Sequence, residues 1–136
     1  MTFLRARDGG AAVEFAFVAP FLAIILGGII EVGNLIQTSI LAGNAAREGA
    51  RYAALGDCYD ALNVPVAYMN SALAGRGNIS VGTVSLNPSS CPPSIGSAVT
   101  VSIPVTVTLD MPVVQKILGG SFTLTGKATM QRYTNA

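Results

Sequence analysis

The sequence has no histidine, no tryptophan, only two cysteines and few charges: 11% of its 136 residues are Asp, Glu, Lys or Arg. Lacking histidine, it lacks both the commonest metal ligand and the commonest general base. The two cysteines, Cys58 and Cys91, form no CxxC pair, so neither a zinc cluster nor a redox pair is written into the chain. A net charge of +1, spread evenly over both halves, provides no basic patch for nucleic acid. Past residue 36 the carboxylates Glu48, Asp57, Asp60 and Asp110 are too scattered to suggest a catalytic pair, and Lys116 and Lys127 fall in surface or strand positions. No nucleophile with a base emerges, and an enzyme is not expected. No cofactor or metal is implied.

What the chain does have is apolar length. It is 51% hydrophobic, with a mean hydropathy of +0.55. The stretch Gly10 to Ile36, GAAVEFAFVAPFLAIILGGIIEVGNLI, carries no charge between Phe15 and Ile30. At about 1.5 Å per residue, Val13 to Ile36 spans the roughly 30 Å of a bilayer's hydrocarbon core. A soluble core helix rarely runs apolar on all faces for so long. The run is also longer than a signal-peptide core and no A-x-A-like site follows it, so it is expected to stay in the working protein. The expected organisation is a leader over 1–9, a membrane-spanning helix over 10–36, and a small domain over 37–136 that continues the same helix.

Glu14 stands one turn into this run. It is either solvated at the membrane interface or placed there for a purpose. Its surroundings are Gly9, then Gly10-Ala11-Ala12-Val13-Glu14-Phe15, behind a short leader bearing Arg5 and Arg7. This resembles the processing site of type IV pilin-like proteins, and most of all the TadE-like pseudopilins of tight-adherence (Tad) pilus and secretion systems. The order Glu-aromatic, Pro20 inside the run, Glu31 after it, and then Asn-Ala-Ala-Arg-Glu-Gly-Ala-Arg extends the resemblance over about a third of the chain.

The resemblance implies that a prepilin peptidase cuts between Gly9 and Gly10 on the cytoplasmic side, leaving Glu14 at the fifth position of the mature chain. Phe15 stands where the family often has tyrosine. It further implies assembly with other pilins or pseudopilins, served indirectly by an inner-membrane platform and an ATPase. The protein would sit in a bacterial inner membrane with its C-terminal part in the periplasm, and would support pilus assembly and surface adherence. The alternative from the same residues is an uncleaved single-pass anchor presenting a small periplasmic interaction domain. Arg5 and Arg7 favour a cytoplasmic N-terminus, but Arg47 and Arg51 balance the count.

Along the helix, Pro20 should introduce a kink, and Gly27-Gly28 leaves a bare patch that either admits another helix or is ordinary membrane-helix glycine. Glu31 either marks the outer interface or pairs inside an assembly. Ser39, Gly43, Ala46, Ala50 and Ala54 recur as a stripe of small residues, and the helix is expected to run from about Ala11 to Leu55 with Gly56 as its stop.

The fold class expected is α+β: the long N-terminal helix packed on a small antiparallel sheet, with a second short helix. That second helix should lie within Asp60 to Ala74, starting near Pro65 with Asn63 as cap, and carrying Leu62, Val66, Met69 and Leu73 on one face. Ile79 to Val81 and Val84 to Leu86 alternate out of phase, and a bulge at Gly82 would restore register. Val99 to Leu109 alternates without a fault except Pro104, which suggests an edge or an interruption. Val113 to Leu118 reads as a helical turn, and Phe122, Leu124, Ala128 and Met130 mark a last strand. Cys58 and Cys91 either stay as buried thiols or form a disulfide, which requires a compartment outside the cytoplasm.

Overall fold

In the computed structural model, which describes residues 8–132, one helix runs from Asp8 to Leu55 (α1) and is longer than everything that packs on it. It passes through Pro20 and ends at Gly56, whose φ of +89° supplies the left-handed turn that stops a helix. A second helix, α2, spans Cys58–Ala72. Four strands follow, β1 (Ile79–Val81), β2 (Ser85–Asn87), β3 (Ala98–Thr108) and β4 (Ser121–Gln131), with a short helix α3 (Pro112–Leu118) between the last two. The fold is α+β, as expected. Residues 1 to 7 of the expected leader lie outside the described residues.

β3 is the centre of the sheet. β4 pairs antiparallel with it along its full length, and β1 and β2 share its other edge end to end. Val81 faces Val105 and Ser85 faces Ser102, so three residues of one strand stand against two of β3. That extra residue is the bulge at Gly82, whose N–H donates to the Pro104 carbonyl at 2.8 Å. It also explains Pro104, which lies in a central strand rather than at an edge. Both polar groups of a strand residue point to the same side, so the N–H that proline lacks falls at the bulge, where the ladder is already broken.

Val99, Val101, Ile103, Val105 and Val107 of β3 are buried on one face, under α1, and all but Val107 share a buried cluster with Ala61 and Met69 of α2. Burying each is worth about 1.5–3 kcal/mol over leaving it exposed. The other face is polar, with Thr100 paired to Thr129 at 2.7 Å and Thr106 to Thr123 at 3.2 Å.

Against this sheet α1 presents Thr38, Ala42, Ala45, Ala46, Gly49, Ala50 and Ala53. The expected stripe is therefore rotated: Ala46 and Ala50 are in it, Ser39 is exposed, and Gly43 and Ala54 are only partly covered. Small residues occupy adjacent rows of α1 between 38 and 54, Ser39, Gly43 and Ala54 lying beside Ala42, Gly49 and Ala53, so their spacing alone does not phase the helix. Close approach happens at two glycines. A Cβ on Gly126 of β4 would collide with the Ala42 carbonyl, and one on Gly49 would lie 2.6 Å from Pro65 Cγ and 2.9 Å from the Ala61 carbonyl.

α2 begins earlier than expected. Asp57 caps it, its side chain accepting from the Asp60 N–H at 3.0 Å, and Pro65 lies inside it. The carbonyl that Pro65 leaves without a donor, that of Ala61, faces Gly49 of α1. The buried face is Ala61, Pro65, Met69 and Leu73, with Leu62 exposed and the Asn63 side chain donating to the Tyr59 carbonyl rather than capping. At this end Cys58 and Cys91 form a disulfide, Cα atoms 5.7 Å apart, tying the start of α2 to the loop before β3.

These contacts predict opposite outcomes for two Gly→Ala changes. Gly126→Ala pushes main chain against main chain and should cost about 3 kcal/mol. Gly43→Ala meets open space within a helix and should stabilise by up to about 1 kcal/mol. Denaturant unfolding of the two purified variants beside the parent checks both signs.

Candidate functional site

The chemistry of this chain is concentrated on α1. From Gly9 to Ile30 the helix lies almost bare: Phe15, Phe17, Phe21, Ile25, Leu26, Ile29 and Ile30 are all exposed, Phe17 at 73%. A contiguous exposed apolar surface of this extent marks an interface with lipid or with other chains. The described residues contain one helix long and apolar enough to cross a membrane, consistent with a single-pass anchor.

Gly9 and Gly10 lie at the start of the described part of α1, and a Cβ on either would touch nothing. Paired glycines hold helical conformation weakly. The Gly9–Gly10 bond therefore lies in a stretch of α1 with little intrinsic preference for helix. Glu14 is exposed one turn further on, and among the described residues it makes no hydrogen bond or ion pair. Phe15 beside it is exposed as well. Pro20 is exposed, and Gly28 has room for a Cβ, so both stay open to a neighbour.

Gly27 and Glu31 are already occupied by the same chain. Glu31 is 4% exposed, and its Oε1 accepts from the backbone N–H of Asp110 at 2.7 Å and of Met111 at 2.9 Å. The Met111 side chain lies on Gly27, one turn back, where a Cβ would displace it. The burial of Glu31 thus comes from the loop between β3 and α3. The other oxygen, Oε2, is buried without a partner among the described residues. The sequence gives only half of this contact: Glu31 is conspicuous at the end of an uncharged run, whereas Asp110 and Met111 contribute main-chain atoms that no side-chain pattern announces.

Farther along, Glu48 and Arg51 form an exposed pair at 2.9 Å, worth a few tenths of a kcal/mol. A surface depression of about 620 Å³ is lined by Gly75, Arg76, Gly77, Asn78, Thr108 and Asp110. Its charged members are engaged, Arg76 with Gln37 at 3.0 Å and Asp110 with Asn78 at 3.0 Å. Among the described residues no three His, Cys, Asp or Glu side chains gather where a metal ion could be held.

The Glu31 contact predicts a local effect. Glu31→Ala should cost the loop about 1.5–3 kcal/mol and speed hydrogen exchange at the Asp110 and Met111 amides by roughly ten- to a hundredfold. Glu31→Gln, which keeps an acceptor oxygen, should retain part of the protection. Amide exchange of the three proteins measures it.

Compared with known proteins, residues 9–51 match the family model described as TadE-like protein. The match begins at the glycine pair, takes in Glu14, Pro20, Gly27 and Glu31, and stops within the buried part of α1. No curated protein and no solved structure matches the chain.

Proposed function

We propose that this chain is a minor pilin or pseudopilin of a tight-adherence type IV pilus machine, processed after Gly9 and assembled through α1. The match of residues 9–51 to the TadE-like family supports a pilin-like, structural role linked to such a pilus. The observation that carries the finer reading is the bare apolar helix with one unpartnered carboxylate, Glu14, one turn beyond the weakly helical Gly9–Gly10 bond.

Cleavage there leaves a charged α-amino group on Gly10. In the low dielectric of a membrane or a helix bundle, that amine and the Glu14 carboxylate of a neighbouring subunit neutralise one another. Losing one member strands the other, at a cost of about 3–5 kcal/mol when buried. The pair fixes the axial register of adjacent helices, and exposed Phe15, Phe17 and Phe21 supply the apolar area that packs between them. Pro20 and Gly28 remain available to adjust that packing.

The organisation that follows is a leader over 1–9, a span over 10–36 and a periplasmic part over 37–136, with the N-terminus on the cytoplasmic side of a bacterial inner membrane. The Cys58–Cys91 disulfide supports the oxidising side for the C-terminal part. Prepilin peptidase and fellow pilins are the direct partners. The platform and assembly ATPase act through them, supporting pilus assembly and adherence.

The test is the N-terminus of the protein recovered from envelope membranes, read by intact mass, in the parent and in Glu14→Ala. Both should begin at Gly10, and Glu14→Ala should fail to enter assembled pili. A chain starting at Met1 or Thr2 beside an active peptidase would leave the uncleaved anchor, and normal piliation by Glu14→Ala would remove the role given to that carboxylate.

A further inference from the structure

The short helix α3 is poorly explained by the core. Only Val114 is buried, while Val113, Ile117 and Leu118 are exposed, Ile117 at 70%. Three of its seven residues are thus large apolar side chains left exposed. Lys116 is exposed in the last turn of the same helix.

The position of α3 along α1 is fixed by the contacts at its entry. Met111, immediately before Pro112, rests on Gly27, and its N–H is held by Glu31. Gln115 donates back to the Leu109 carbonyl and binds α3 to that loop. Counting from Gly10, Gly27 is seventeen residues on, about 26 Å of helical rise, and Glu31 about 31 Å. A hydrocarbon core is roughly 30 Å thick. A helix whose hydrocarbon span begins near Gly10 therefore reaches the outer boundary at about the level at which α3 is attached, and residues 32–36 cross the headgroups.

We propose that α3 is a membrane-interface helix: Val113, Ile117 and Leu118 lie in the outer boundary of the bilayer that α1 crosses, and Lys116 reaches the anionic lipid phosphates. The occupant is a lipid surface because the exposed apolar residues continue, at the same axial level, the bare surface of α1. An apolar helix face with a basic residue at its margin is the composition that settles at the headgroup boundary. On this arrangement Glu31 does not face lipid, since the 109–111 loop that carries α3 closes over it. The inference rests on the membrane-anchoring part of the proposed function and adds a second contact with the bilayer.

The absence of tryptophan makes the test direct, because any introduced tryptophan is the sole reporter. Ile117→Trp, Phe21→Trp and Tyr59→Trp replace exposed residues at α3, in mid-span and at the far end of the sheet layer, Tyr59 being 77% exposed. Each full-length protein is reconstituted in vesicles of phosphatidylethanolamine and phosphatidylglycerol, with brominated acyl chains at shallow or deep positions, and acrylamide is added from the water. The Ile117 reporter should be quenched by shallow bromines and several-fold less by acrylamide than the Tyr59 reporter. The Phe21 reporter should respond to deep bromines.

If Ile117→Trp is as open to acrylamide as Tyr59→Trp, the inference is overturned. Protection from acrylamide without quenching by bromine also overturns it, since a protein surface then covers α3. Failure of the Phe21 reporter to sense lipid would instead overturn the anchor itself.

Discussion

Two main-chain N–H groups, those of Asp110 and Met111, share one carboxylate oxygen of Glu31, and the relation between the bare and the packed parts of the molecule depends on them. Below Glu31 α1 touches almost nothing, and above it the helix is covered by sheet and by α2. Without this contact the sheet could still pack on the alanine face of α1, but its lower end would be free to swing. Hydrogen bonds to a charged acceptor are stronger than neutral ones, and these lie where solvent does not compete. The cost is the burial of Oε2 without a partner, which makes the contact intolerant of change.

Higher up, the restraint is steric. Gly126 lets the Ala42 carbonyl approach the strand, and Gly49 lets α1 meet α2 at Pro65. Small residues give up buried area per side chain in exchange for short distances between backbones. The large apolar side chains are supplied by β3 and by Met69. The result is a helix gripped along more than half its length, with the Cys58–Cys91 bridge closing the far end. For a subunit moved through its N-terminal helix, as proposed, such a grip passes force from α1 directly to the sheet.

The elements were largely legible in the sequence because their patterns are strong. The uninterrupted apolar run gave the long helix, strict alternation gave β3, and a phase slip at Gly82 gave the bulge. The orientation of α1 was less legible: Ser39, Gly43 and Ala54 are as small as the buried Ala42, Gly49 and Ala53 beside them, so size alone does not tell the two rows apart. α2 was misjudged through Pro65, because a proline normally starts a helix, whereas here tertiary packing against Gly49 holds it inside one. Gly126 carries a usable signal, a glycine in the apolar phase of a strand. At the candidate site, Gly9, Gly10, Glu14 and Phe15 could be named from sequence because their order is distinctive. The Met111 contact on Gly27 could not, since it joins residues more than eighty positions apart through main-chain atoms and one flexible side chain.

Glu14 and Glu31 pose the same physical problem in the same helix and receive different answers. A carboxylate in an apolar setting requires donors or a cation. For Glu31 the chain supplies the donors itself, by folding a loop from the end of β3 back onto α1. For Glu14 the described residues supply nothing, and none of their loops reaches that level. One carboxylate therefore serves the fold, and the other stays open to the partner charge that the proposed function gives it. A monomer that met every need of Glu14 internally would have no use for a neighbour there. On the proposed function, the α-amino group freed by cleavage one helical turn away would answer that unmet need.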